Sequence, residues 1–335
     1  MKTCNSHKYE YDYLTANKPL LKFDKNRNFN EWQEECKNKL NELLGLPLEK
    51  CDSEFEIEYE KECDGFTNIR FTVQTEPGYF VPCHLFVPNT KASKYPLCIC
   101  LSGHATGMHM VMGEPKNEND AESLKAWPQK AIATRAVKEG YIALVIEARN
   151  FGESSVAGYG TSCDEAGKIA LIMGRTVVGE RVWDAMRILD AVGENFPQVD
   201  MENIVCTGNS GGGTATFYLS CLEPRIKISA PSCAVCTYED SIAAVPHCLC
   251  NHIPSIRKYF EMADLTCLIA PRPFLLTAGI KDEIFPIHGV EKTFEEVKEI
   301  YKAANASDNC HLLIGDNGHF YYANLIFEKL REINK

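Results

Sequence analysis

The stretch Asn203-Ile204-Val205-Cys206-Thr207-Gly208-Asn209-Ser210-Gly211-Gly212-Gly213, continued by Thr214-Ala215-Thr216-Phe217-Tyr218-Leu219, decides how the rest of the chain is read. A short β-branched run leads into G-x-S-x-G, and helix-competent residues follow. Strand, sharp turn and helix form the context in which this motif lifts a serine Oγ above the edge of a sheet. Gly208 and Gly212 suit it because neighbouring backbones must crowd together there, where a Cβ would clash. Gly211 would open the helix, with its N–H aimed where a tetrahedral oxyanion forms. Alone, G-x-S-x-G recurs by chance in Gly/Ser-rich loops; the flanks and the partners downstream give it weight.

A serine hydroxyl is a poor nucleophile until a base takes its proton, and the base needs an orienting acid. Nine histidines compete for the first role. His311 falls inside a predicted strand, where a structural role is expected. His319 follows Ile314-Gly315-Asp316-Asn317-Gly318, a loop after the last predicted strand, and is the expected base. Phe274-Leu275-Leu276-Thr277 runs into Ala278-Gly279-Ile280-Lys281-Asp282-Glu283, which makes Asp282 the expected acid, with Glu283 and Asp316 as alternatives. The order Ser210, Asp282, His319 is the Ser…Asp/Glu…His order rather than that of the other serine-protease folds. A second oxyanion donor is expected from Ser102-Gly103-His104-Ala105-Thr106-Gly107, with the N–H of His104 preferred and that of Ala105 as alternative.

Around these residues the pattern alternates. From Asn30 the apolar residues Trp32, Cys36, Leu40, Leu43 and Leu44 share one helical face, with Asn30 as expected cap, Gly45 as stop and Pro47 beyond. Three β-like runs follow, 55–59, 69–73 and 79–87, with the turn Glu76-Pro77-Gly78 between the last two. Leu97-Cys98-Ile99-Cys100-Leu101 reads as a strand buried on both faces. Helices over 129–139, 176–192, 290–303 and 321–333 then alternate with strands at 142–146, 204–206, 274–277 and 311–314. Such alternation implies a largely parallel sheet with helices on both faces and an antiparallel start, the ligand site lying beyond the strands' carboxyl ends. Residues 1–28 have no clear period and receive no assignment.

The composition is that of an ordinary globular protein, with 45% hydrophobic and 24% charged residues among 335. A net charge of −11 argues against nucleic acid or an anionic membrane as partner. No stretch approaches the roughly 18 apolar residues of a membrane span, and the N-terminus lacks the apolar core of a signal peptide, so a cytoplasmic location is expected. The sixteen cysteines are then expected to be small buried hydrophobes kept reduced.

Several motifs together resemble the α/β-hydrolase superfamily, and within it the branch of dienelactone hydrolase-like acetyl xylan esterases. They are Leu101–Gly107, Glu147-Ala148-Arg149-Asn150-Phe151-Gly152-Glu153, Gly208–Gly212, Ala270-Pro271-Arg272-Pro273 and Gly279–Asp282. The similarity spans about residues 50–335. It departs from that branch at Ser102 and Ala105, which replace the first His and second Gly of a His-Gly-His-Gly loop. The resemblance implies hydrolysis of small-molecule esters, often acetyl esters of sugars, without metal or organic cofactor. Residues 1–50 then form an N-terminal extension with a peripheral helix. Residues 51–335 form the hydrolase domain, with lid-like insertions near 105–127 and 231–262. A serine peptidase of the same fold and a catalytically silent binding protein are the competing functions, and homo-oligomerisation is left open.

Cys233, Cys236, His247, Cys248, Cys250 and His252 fall close together in the second insertion. Their spacings match no zinc ribbon, so packing is the expected role, with metal or redox chemistry as the alternative. Arg149 and Asp184 are expected to pair inside the fold. Met108, Met110 and Met112 are expected to pack within their insertion.

Overall fold

A computed structural model describes residues 4–334. The chain begins with helices α1 (Ser6–Ala16) and α2 (Phe29–Leu44), then strands β1 (Glu56–Cys63), β2 (Phe66–Glu76), β3 (Tyr79–Pro88) and β4 (Tyr95–Leu101). The segment 105–127 holds α3 (His109–Met112) and α4 (Glu118–Ala126), after which come α5 (Ile132–Lys138) and β5 (Ile142–Ile146). Helices α6 (Cys163–Ile172) and α7 (Val177–Asn195) lead to β6 (Val199–Asn209), α8 (Gly211–Leu222) and β7 (Ile226–Ser232). The chain closes with α9 (Ile256–Tyr259), α10 (Met262–Leu265), β8 (Phe274–Gly279), α11 (Ile287–Ala303), β9 (Cys310–Gly315) and α12 (Ala323–Ile333).

All nine described strands join one sheet in the order β1-β2-β3-β5-β4-β6-β7-β8-β9. β1, β2 and β3 pair antiparallel, as does β3 with β5; every pairing from β5 to β9 is parallel. Alternation along the strands separates two cores. Leu97, Ile99 and Leu101 of β4 face one layer, shared with α2, α7, α8 and α11, while Cys98 and Cys100 face the other, shared with α5 and α12. The expected sheet with helices on both faces is therefore present. β4 lies between β5 and β6, so the chain winds first to one side of it and then to the other. That reversal opens a crevice beyond the carboxyl ends of β4 and β6.

Three local readings differ from the structure. Helix α2 begins at Phe29, and its cap is Asn28, whose side chain accepts from the N–H groups of Asn30 (3.1 Å) and Glu31 (3.2 Å); Asn30 lies inside the helix. The helix expected from 129 starts instead with a 3₁₀ turn, Pro128–Lys130, before α5. β7 has no counterpart among the predicted strands. Its Ser229, Pro231 and Ser232 interrupt the apolar run, yet it is buried between β6 and β8.

Candidate active site

Leu101 at the end of β4 is in register with Gly208 in β6, so the loops leaving the two strands emerge side by side. The backbones almost touch: a Cβ on Gly212 would lie 2.3 Å from the Leu101 carbonyl oxygen, and one on Gly103 2.6 Å from that of Asn209. Only residues without a Cβ fit that approach. Between them the chain turns sharply at Ser210, which adopts φ 55° and ψ −121°. That conformation is strained for a residue with a side chain, at a cost of order 1–3 kcal/mol. The Ser210 N–H donates to the Ser232 carbonyl (2.9 Å), and its own carbonyl accepts from Thr214 (2.8 Å), tying the bend to β7 and α8.

Asp282 and His319 come from the turns that follow β8 and β9. The His319 Nδ1 and Asp282 Oδ2 lie 2.8 Å apart. The other carboxylate oxygen accepts from the backbone N–H groups of Ile284 (2.8 Å) and Phe285 (3.0 Å). Burial pushes the Asp282 carboxyl up, but the His319 bond and the two backbone donors outweigh it and hold it below its ordinary value. Glu283 and Asp316 point to solvent. The Phe285 ring stacks on the His319 imidazole at 5.9 Å with 12° between planes, and the Cys233 thiol lies beside the same pair. Neither neighbour was legible as such in the sequence; Phe285 carries no signal beyond following Asp282 by three positions.

Ser210, His319 and the Ser102–Thr106 loop line one cavity of about 640 Å³, together with Met110 and His247. Gly211 opens α8, where the first N–H groups have no partner within the helix. The His104 backbone follows Gly103, which abuts Asn209 and Ser210, and its ring lies over Gly211. Gly103 thus brings the loop that carries His104 against the Ser210 turn, from which Gly211 opens α8. Met110 lines the cavity, whereas Met108 and Met112 are buried in the core beneath. The end of α4 reaches across to the His319 loop: Trp127 stacks on Phe320 at 4.4 Å and its indole N–H donates to the Tyr321 carbonyl at 2.8 Å.

The cysteine–histidine run between residues 233 and 252 does not stay together. Cys233 lies at the Asp282–His319 pair, Cys236 faces Pro286, His247 bonds Ser241 at 3.1 Å, and His252 is exposed. Cys248 and Cys250 meet Cys163 and His104 instead. His311 sits in β9, away from the serine. Arg149 and Asp184 do pair, at 2.7 and 2.8 Å, within a network that includes Glu76 and Arg175.

Comparison with known proteins agrees with this architecture. The chain is 26% identical over 262 residues to the "Putative hydrolase YtaP" of Bacillus subtilis (strain 168), an alignment covering 77% of this chain and 83% of that protein. Among solved structures, a "putative acetyl xylan esterase" from Bacteroides fragilis NCTC 9343 superposes with a TM-score of 0.83 at 18% identity, covering 99% of this chain and 96% of that one. A glucuronoyl esterase from Solibacter usitatus gives 0.67 at 14% identity, covering 91% of each chain. At such identities these likenesses speak for the fold. A family model matches residues 9–320, and with the wound sheet and its serine turn in place, the chain belongs to the Abhydrolase family, with the α/β-hydrolase fold.

Proposed function

We propose that this protein is a serine esterase acting on short-chain carboxylic esters, with Ser210 as nucleophile, His319 as base and Asp282 as orienting acid. One observation carries the proposal: a serine on a strained turn opens on the same cavity as a histidine whose far nitrogen is engaged by a buried carboxylate. Asp282 fixes the His319 tautomer so that Nε2 is free to accept a proton. Ser210 Oγ attacks the ester carbonyl while His319 takes its proton. The Gly211 and His104 N–H groups hold the oxyanion, and His319 returns the proton to the leaving alcohol. Water then repeats the cycle on the acyl-enzyme, releasing the acid and restoring Ser210.

The acyl group is proposed to be short, acetyl foremost, and the alcohol a carbohydrate. This finer reading leans on the motif resemblance and on the esterase names of the structural neighbours. The protein is proposed to act on small esters rather than on nucleic acid or lipid; no described helix is long and apolar enough to cross a membrane. Hydrolysis of p-nitrophenyl acetate, butyrate and octanoate, set beside an aminoacyl anilide, tests the proposal. Turnover is expected to fall from acetate to octanoate and to be absent with the anilide. Faster anilide than ester cleavage would assign a peptidase instead.

A further inference from the structure

Outside the proposed catalytic residues, one cluster of side chains has no role in that chemistry. Cys163 is the first residue of α6, Cys248 precedes a single 3₁₀ turn (Leu249–Asn251) and Cys250 lies within it, and His104 sits in the loop after β4. One ligand atom from each lies within 4.8 Å of the other three, and His104 Nε2 is 3.2 Å from Cys250 Sγ. Sulfurs placed tetrahedrally at zinc–sulfur distances of about 2.3 Å stand about 3.8 Å apart, so the four groups need only tighten slightly around an ion. An apolar wall of Phe151 and Val177 encloses the thiols.

Charge gives a second, independent observation. Arg181 is buried, and its guanidinium donates to the Arg149 carbonyl (3.1 and 2.7 Å) and to Cys163 Sγ (3.3 Å), above the Phe151 ring at 4.1 Å. Among the described residues no carboxylate forms an ion pair with it. A buried cation requires a compensating anion. Three thiolates and a neutral imidazole around a divalent ion carry a net charge of −1, which matches the single positive charge of Arg181.

We infer that His104, Cys163, Cys248 and Cys250 form a structural zinc site that fastens the loop after β4 to α6 and the second insertion. The soft thiolate-rich set and four protein ligands, with no position left for water, fit a closed structural site rather than a catalytic one. Binding releases a proton from each thiol still protonated and changes no oxidation state. The metal site stands apart from the esterase proposal; only its consequence, that the ion fixes the His104 backbone beside Ser210, rests on that reading.

The test is metal analysis of the full-length protein purified under reducing conditions without chelator. About one zinc per chain is expected in the wild type and in the Cys51→Ser and Cys63→Ser controls. Cys163→Ser and Cys248→Ser should each lower retention about tenfold or more. Anaerobic replacement by Co²⁺ alone should add a sulfur-to-cobalt charge-transfer band and tetrahedral visible absorption, both lost in Cys163→Ser. The cobalt spectrum of the wild type decides the matter even if the variants fold poorly. Wild-type protein without stoichiometric zinc and without cobalt uptake would overturn the inference. So would full zinc retention in the Cys163→Ser/Cys248→Ser double variant, or a disulfide among the three cysteines in freshly purified protein. Because these readouts do not use activity, an inactive enzyme that holds zinc would sink the esterase proposal and leave the metal site standing.

Discussion

Asp282 shows what a single residue contributes. Its carboxylate is fully enclosed, spends one oxygen on two backbone N–H groups and offers the other to His319. Asn at this position would present an amide where an acceptor is needed and favour the wrong imidazole tautomer. Asp282→Asn is therefore expected to lower kcat about 10⁴-fold with little change in KM. Steady-state kinetics on p-nitrophenyl acetate checks this, and an equal loss in Asp316→Asn would contradict the assignment. The placement of Ser210, Asp282 and His319 at strand exits was legible because each follows a β-type run with a turn signal, and turn chemistry is local. The meeting of Cys163 with Cys248 and Cys250 was not legible. It depends on how α6 packs against the 3₁₀ turn at 249–251, and no local pattern encodes that.

At the scale of elements, the sequence pattern found eight of the nine described strands and six of the twelve described helices, and ends were harder. The cap of α2 shows why: Asn28 and Asn30 are both good caps, and the choice turns on whether Phe29 enters the helix. Asn28→Ala is expected to destabilise the protein by about 1 kcal/mol, and Asn30→Ala by much less, as measured by denaturant unfolding. β7 escaped because a central strand containing serine and proline looks like a loop, and only its burial between two neighbours makes it a strand. Helix α1 escaped because it has no buried residue and hence no apolar period.

Glu147, directly after β5, ties two elements together by accepting from the N–H groups of Met108 (3.0 Å) and Glu153 (3.2 Å). Burial raises its carboxyl to about 7, so the folded protein holds this proton more tightly than the unfolded chain does. Its contribution to stability is complete below the ordinary value of 4.5 and is lost as pH rises through about 7. The loss amounts to about 3 kcal/mol. Unfolding free energies measured between pH 5 and 8 should decline for the wild type and decline less for Glu147→Gln; parallel curves would contradict this.

The whole molecule brings to one crevice residues that lie far apart in the chain, and the wound sheet does this by placing every parallel strand's exit on the same side. The segment 105–127 adds a long-range brace, since Trp127 packs on Phe320 beside His319. Loosening that brace shifts the imidazole without removing it. Trp127→Ala is expected to lower kcat/KM by about 10–100-fold while the fold persists by circular dichroism. Unchanged kinetics would show that the His319 loop holds its own shape.

The central claim is that Ser210 is an alcohol activated by His319 within this crevice. The most direct measurement is peptide mapping after treatment with a fluorophosphonate, which reports the activated oxygen without reference to any substrate. A single stoichiometric adduct on Ser210 is expected, slowed by orders of magnitude in His319→Ala. A wild-type protein that folds and takes up no label, or that carries its label on another residue, would contradict the account.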